Sequence, residues 1–362
     1  MKFLIYTNHL GRETANATAI TIMTSDLANF LKNKGHDVLV VGNKNLIEED
    51  VRFDYLYIQG GDILRAYKLT NIIKDFQPEI IYSFMRPQSL VLALSSIIKK
   101  FDACYVGSVH NTDNYLKYHK ALYLPYRILV KHLLERLDYI ACPSRAIVED
   151  LKKTYFMKEE KLCVVKNFIN YERIDKLSQE NVEVPDEYIV SVGRLEEQKN
   201  YKSLLRVFNK IHKEFPNLWL VIVGEGSQRA ELEALSYSLG ISHRVLFVGY
   251  QQNPWKYIKR AKLFVLTSWY EGSPQVVLEA MYLKVPVVSY NIPSVVEQSR
   301  EGECALLVPA YEESSMAEAI IKVLKEEVDL AGLVESAYKR ALEFSIENFV
   351  ERITRKCNGK LP

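Results

Sequence analysis

The chain has 362 residues, 48% hydrophobic and 25% charged, with a formal net charge of +2. That length favours two domains, the composition is that of an ordinary soluble globular protein, and no nucleic-acid partner is expected. No apolar run approaches the ~18 residues of a membrane span, and the opening MKFLIYTNHL is too short for a signal peptide and reads as a first strand. The five cysteines (Cys104, Cys142, Cys163, Cys304, Cys357) form no Cys-x-x-Cys pair. Their odd number and apolar contexts argue for reduced core thiols in a cytosolic protein and against a zinc site.

Apolar runs alternate with helical patterns from end to end. The first series of expected strands is 2–7, 37–42, 54–58, 79–84, 105–109, 138–142 and 162–166. Continuous apolar strands separated by helix-length segments predict a parallel sheet covered on both faces. After the first strand, Gly11 permits close approach of backbone to a ligand and Arg12 stands where a phosphate could be met; a routine strand–helix turn explains the pair equally well. His110 ends the strand YVGSV, where it either meets a sugar hydroxyl or serves the structure, and Asn111, Asp113 and Asn114 follow as candidates to line an acceptor site. Residues 1–180 hold 25 Lys and Arg against 21 Asp and Glu, and residues 115–136 carry much of that excess, with tyrosines and leucines interleaved. Two readings stand for this stretch: peripheral contact with an anionic membrane surface, or a core-facing helix with a solvated face.

The polar segment 170–186 lacks a core pattern and reads as a linker. A second strand series follows at 187–192, 218–223, 244–248, 262–267, 285–289 and 304–308, so two doubly wound α/β domains are expected. The run YIVSVGRLEEQKN places Arg194 and Lys199 after a strand, where a planar fork and a point charge can neutralise a diphosphate. Gly224 and Gly226 in VGEGSQR resemble a dinucleotide fingerprint, but Arg229 occupies the third glycine's place and a packing turn is the preferred reading. Glu271 and Glu279 bracket Gly272, Ser273, Pro274, Gln275 and Val276, a turn that opens a helix. The helix start favours an anion between the two carboxylates, which would take hydroxyls. A sugar nucleotide fits that cradle. No Asp-x-Asp pair is present for a diphosphate-bound metal, so the two cations would replace one. The segment SIENFVERITRKC is one more helical pattern, able to pack on either domain.

Together, VGRLEEQKN, VIVGEGSQRAEL, VLFVGY, TSWYEGSPQVVLEAM and VPVVS, with KNKGHDVLVVG, ACPSRAIVEDL and VVKNFI in the first half, resemble family 4 of the nucleotide-sugar glycosyltransferases, in bacterial glycan assembly. The resemblance covers nearly the whole chain. It implies a GT-B fold, two Rossmann-like doubly wound domains facing an interdomain cleft. The expected domains are residues 1–170, joined by a helix at about 346–362 and binding the acceptor, and residues 171–345, binding the donor. It further implies that Arg194 and Lys199 hold the diphosphate, Glu279 the ribose, Glu271 the transferred sugar, the amides around Ser273–Val276 a phosphate or sugar, Tyr250 the edge of the base, and His110 the region of the anomeric carbon. The family often carries Gly-Gly in the first loop, where this chain has Leu10-Gly11.

The implied reaction is a retaining, metal-independent transfer of a hexose or N-acetylhexosamine to a glycan acceptor, one linked to lipid, with no cofactor required. Uridine diphosphate is the expected nucleotide, on family frequency. A cytoplasmic location, peripheral on the inner membrane, would suit such an acceptor. The alternatives are a non-catalytic partner of the same fold, a nucleotide-sugar epimerase, which the pairing of Arg/Lys with Glu-x7-Glu disfavours, and an NAD-dependent dehydrogenase.

Overall fold

The computed structural model describes residues 1–8, 19–43, 52–111 and 123–359. The chain divides into two compact units, Met1–Phe168 with Ile346–Pro362, and Ile169–Ser345.

The first unit is a seven-stranded parallel sheet of β1 (Lys2–Thr7), β2 (Asp37–Gly42), β3 (Asp54–Tyr57), β4 (Ile80–Ser83), β5 (Cys104–Ser108), β6 (Tyr139–Cys142) and β7 (Leu162–Val164), in the order β3-β2-β1-β4-β5-β6-β7. Its helices are α1 (Ala19–Asn33), α2 (Asp62–Phe76), α3 (Arg86–Ile98), α4 (Tyr123–Leu134) and α5 (Arg145–Tyr155). Strand alternation sends Leu4 and Tyr6 into one core with residues of α2, α3, α4 and α5, and Phe3 and Ile5 into the other with residues of α1. Both faces of β1 are therefore apolar, which is why its sequence reads as a continuous run.

The second unit holds six parallel strands, β8 (Tyr188–Val192), β9 (Trp219–Val223), β10 (Val245–Gly249), β11 (Leu263–Leu266), β12 (Val287–Tyr290) and β13 (Leu306–Val308), in the order β10-β9-β8-β11-β12-β13. Around them lie α6 (Tyr171–Ser178), α7 (Tyr201–His212), α8 (Arg229–Ser238), α9 (Trp255–Ile258), α10 (Gln275–Tyr282), α11 (Pro293–Gln298), α12 (Glu313–Leu324) and α13 (Leu330–Ala341). In α7 the stripe Leu204, Leu205, Val207, Phe208 and Ile211 is buried, while Arg206 and Lys210 turn outward to Glu313 and Ser314. All thirteen expected strands form, with ends within two residues of those read from the sequence.

Two expectations are corrected. Residues 170–186 are not simply a linker: Asn170 caps α6 by accepting from the Arg173 N–H at 3.1 Å, and Ile174 is buried in the core of the second unit. The stripe Tyr171, Ile174, Leu177 is helical in period but short, and the charges between its members hide it. The cysteines are not all reduced thiols. Cys104 of β5 and Cys357 are joined in a disulfide across 253 residues, leaving Cys142, Cys163 and Cys304 free. Cys357 lies on α14 (Ile346–Asn358), whose residues Ile346, Phe349, Ile353 and Cys357 form one buried stripe in the core shared with Phe3 and Ile5. The ring of Phe349 meets Tyr82 and Phe168 edge-on at 5.5 and 4.9 Å.

Of the basic stretch 115–136, residues 115–122 lie outside the described residues. The rest is mostly α4, which buries Val130, Leu133 and Leu134 and exposes Leu124, Ile128 and Leu129. The guanidinium of Arg127 sits 4.7 Å from the Phe156 ring. No described helix is long and apolar enough to cross a membrane.

Candidate active site

In the second sheet, β8, β9 and β10 run out to one side and β11, β12 and β13 to the other. The order reverses between β8 and β11, and open α/β sheets bind ligands beyond the carboxyl ends of the strands at such a switch point. The loops that leave β8 and β11 carry Arg194 with Lys199, and Glu271 with the start of α10, respectively. Residues some 70 positions apart thus become neighbours through strand pairing.

Lys199 Nζ donates to Glu271 Oε1 at 2.5 Å, with the two side chains 16% and 9% exposed. Ser268 Oγ donates to the same oxygen at 2.7 Å, and Gln198 Nε2 lies 3.5 Å from Oε2 while donating to Tyr270 O at 2.8 Å. The Trp269 N–H donates to Gln198 O, and Thr267 Oγ1 donates to the carbonyls of Lys199 and Asn200. The two loops are therefore laced together. Arg194 is exposed and holds no ion pair among the described residues.

The glycine-bearing turn after β9 braces this arrangement. The Leu195 N–H donates to Glu225 O and the Gln228 N–H to Leu195 O, while Glu196 accepts from both the N–H and the hydroxyl of Ser227. Those two bonds, with Arg194 nearby, hold the Glu196 carboxyl below its usual range. A Cβ on Gly224 would stand 1.9 Å from Gly193 O, and one on Gly226 2.5 Å from Leu195 O. The two glycines let one backbone press against the other, the packing turn expected from the sequence. Gly224→Ala is expected to cost about 1–3 kcal/mol, the usual range for overpacking. A denaturation midpoint equal to that of the parent protein would refute this.

Helix α10 begins at Gln275 with Pro274 as its N-cap, so Gly272, Ser273, Pro274, Gln275 and Val276 form its approach and first turn, and Glu279 lies one turn further. Gln298 Nε2 donates to Ser273 Oγ at 2.9 Å and tethers that approach. Tyr250 follows β10, two strands from β8 and so roughly 10 Å along the sheet. Gln198, Ser268 and Gln298 were not singled out by the sequence. Ser268, three residues before Glu271, and Gln198, beside Lys199, carried a spacing signal; Gln298 carried none. Among the described residues no cluster of His, Cys, Asp and Glu is arranged to hold a metal ion.

In the first unit Gly11, Asp113 and Asn114 lie outside the described residues. His110 follows β5 and is buried. Its Nε2 lies 3.0 Å from Ser108 Oγ, which also accepts from the Met85 N–H at 3.0 Å. Which of Nε2 and Ser108 Oγ donates depends on the ring's tautomer, and Nδ1 is a buried atom without a hydrogen-bond partner among the described residues. Burial lowers the His110 pKa to about 4. The ring is neutral near pH 7. Because the folded value lies below the unfolded one of about 6.5, this group's stabilising effect is complete above about pH 6.5 and is lost as the pH falls towards 4. His110→Asn is expected to flatten that part of the stability profile. A profile unchanged by the substitution would contradict the burial-lowered pKa of His110.

Two doubly wound parallel units, one with a cation–carboxylate pair and a helix start at its switch point, define a protein of the GT-B glycosyltransferase class. The model described as Glycosyl transferases group 1 matches residues 172–340, and that described as Glycosyltransferase Family 4 matches residues 20–173. An uncharacterized glycosyltransferase of Methanocaldococcus jannaschii is 30% identical over 271 residues, covering 68% of this chain and 67% of that protein. The Campylobacter jejuni GalNAc-alpha-(1->4)-GalNAc-alpha-(1->3)-diNAcBac-PP-undecaprenol alpha-1,4-N-acetyl-D-galactosaminyltransferase is 27% identical over 312 residues, 84% of this chain and 81% of that enzyme. The solved structure of Anabaena HepE in complex with UDP superposes with a TM-score of 0.80 at 17% identity, covering 99% of this chain and 100% of that one. The chain belongs to the family 4 glycosyltransferases and is a transferase with bacterial glycan-assembly enzymes among its relatives.

Proposed function

We propose that this enzyme is a retaining, metal-independent glycosyltransferase that moves a hexose or N-acetylhexosamine from a nucleoside diphosphate sugar, a UDP-sugar, to a lipid-linked glycan. The observation that carries the reading is the Lys199–Glu271 pair beside the start of α10 at the switch point. As the donor enters, Lys199 exchanges Glu271 for the diphosphate and Arg194 joins it, while the freed Glu271 oxygen accepts from sugar hydroxyls. Glu279 takes the ribose and Tyr250 borders the base. The first unit binds the acceptor, with His110 near the anomeric carbon. The bond from that carbon to the phosphate oxygen breaks, the acceptor oxygen bonds to the same face, and the acceptor's proton passes to the departing phosphate. The two cations and the helix start stabilise that phosphate's developing charge.

The relatives' names support the nucleotide and the acceptor class: Anabaena HepE is solved with UDP, and the Campylobacter jejuni enzyme is named for an undecaprenol-linked glycan. The exposed Leu124, Ile128 and Leu129 of α4, with Arg127 and Lys131 beside them, suit peripheral contact with the cytoplasmic face of an inner membrane.

Thermal stabilisation by UDP, GDP, ADP and NADH, with and without EDTA, tests the donor site. A ligand at 100 times its dissociation constant adds about 2.7 kcal/mol. EDTA-insensitive stabilisation by UDP is expected. Stabilisation by NADH alone would favour a dehydrogenase, and no response to any nucleotide a non-catalytic partner.

A further inference from the structure

We propose that Trp269 and Tyr311 form a stacking platform for the face of a pyranose ring beside Glu271. This rests on the reading of the second unit as a nucleotide-sugar site. Trp269 follows β11 and Tyr311 follows β13, so both stand at the carboxyl edge of the sheet. They lie on the opposite side of the switch point from Tyr250, which follows β10. The two rings are 4.4 Å apart and tilted by 44°, yet 38% of Trp269 and 50% of Tyr311 remain exposed.

The platform is rigidly mounted. The Trp269 N–H donates to Gln198 O at 2.9 Å, and its carbonyl accepts from the Tyr311 hydroxyl at 3.1 Å. Gln198 also reaches Tyr270 O and Glu271 Oε2, so the indole shares its mounting with the carboxylate two residues on. Behind Tyr311 stands Tyr290, 5.9 Å away and nearly edge-on, buried and hydrogen-bonded to Ser203. Tyr311 itself has φ +70°, a left-handed conformation that a bulky side chain rarely adopts. Such strain persists where the surroundings enforce it, and it collects at ligand-binding positions. Here it brings the Tyr311 ring against the indole.

The chemistry of the surface selects its ligand. An aromatic face is electron-rich, so it repels phosphate and suits the C–H face of a sugar ring. The Trp269 indole N–H holds no hydrogen bond among the described residues and can donate to a hydroxyl at the ring's edge. The base is assigned to the far side of the switch point, and the residue nearest the platform in sequence is the proposed sugar-binding Glu271. The pyranose is either the sugar being transferred or the terminal sugar of the acceptor, and the experiment separates them.

Affinities for UDP, UDP-glucose, UDP-GlcNAc and UDP-GalNAc are measured by calorimetry for the parent protein, Trp269→Ala and Trp269→Phe. Indole emission is followed as the corresponding methyl α-glycosides are added. If the platform holds the donor sugar, Trp269→Ala lowers the affinity for the preferred UDP-sugar about fivefold to tenfold relative to UDP, and Trp269→Phe restores most of it. If it holds the acceptor sugar, all four nucleotide affinities are unchanged. The parent's emission then shifts with one glycoside, and that shift disappears in Trp269→Ala. An unchanged UDP-sugar to UDP ratio together with no emission response in the parent overturns the platform, as does an equal loss of affinity for UDP and every UDP-sugar. A parent protein that binds no nucleotide would overturn the donor-site reading alone, because the glycoside titration scores the platform without it.

Discussion

Lys199→Ala is expected to lower turnover by about 10²–10³-fold, the loss typical of a removed transition-state charge partner. The cause has two parts that separate experimentally. In the free enzyme Lys199 neutralises Glu271, which is 9% exposed, so its removal leaves an uncompensated carboxylate in a largely dry place. In the reaction Lys199 meets the departing diphosphate. Pairing Lys199→Ala with Glu271→Gln removes the stranded charge, and the double variant should recover thermal stability without recovering turnover. Donor turnover and melting temperature, measured on the parent, both single variants and the double variant, decide the matter. Near-normal turnover in Lys199→Ala would refute the assignment.

The second large effect is on folding. Phe349→Ala is expected to cost about 3–5 kcal/mol, as for other buried aromatic truncations. Phe349 is 3% exposed and fits edge-on between Tyr82 and Phe168, so its truncation removes both ring contacts and leaves a cavity. It also centres the stripe Ile346, Phe349, Ile353 by which α14 closes one core of the first unit. The loss should appear in the first unit's transition under denaturant. A midpoint within experimental error of the parent's would mean that α14 contributes little to that core.

Most of the architecture was legible because strands buried on both faces, such as β1 and β9, leave unbroken apolar runs bounded by polar segments. VGRLEEQKN and EGSPQVVLE were legible as a site because charge beside a strand end and charge bracketing a helix start each have a stated electrostatic use. Their mutual contact was not. The sequence assigned Lys199 and Glu271 separate ligands, and only the pairing of β8 with β11 shows each holding the other in the free enzyme. Gln298 was invisible because its use depends on where α11 falls relative to Ser273. The α6 helix escaped notice because three apolar residues at helical spacing are too few to stand out among charges. The Cys104–Cys357 bond could not be read from spacing when the two cysteines are 253 positions apart.

The placement of α14 has a consequence for how the protein is made. The core that holds Phe3, Ile5 and Tyr82 needs Ile346, Phe349 and Ile353, yet the ribosome must first complete the whole of residues 169–345. At about 5–20 residues per second, that interval is of the order of ten seconds or more. Throughout it, the nascent first unit presents an apolar face that α1 covers only in part, while the second unit, whose residues are contiguous, can finish folding on its own. Synthesis that stops before residue 346 would strand the first unit in that state, so premature termination there should yield chains that depend on chaperones even though every strand of both sheets is present.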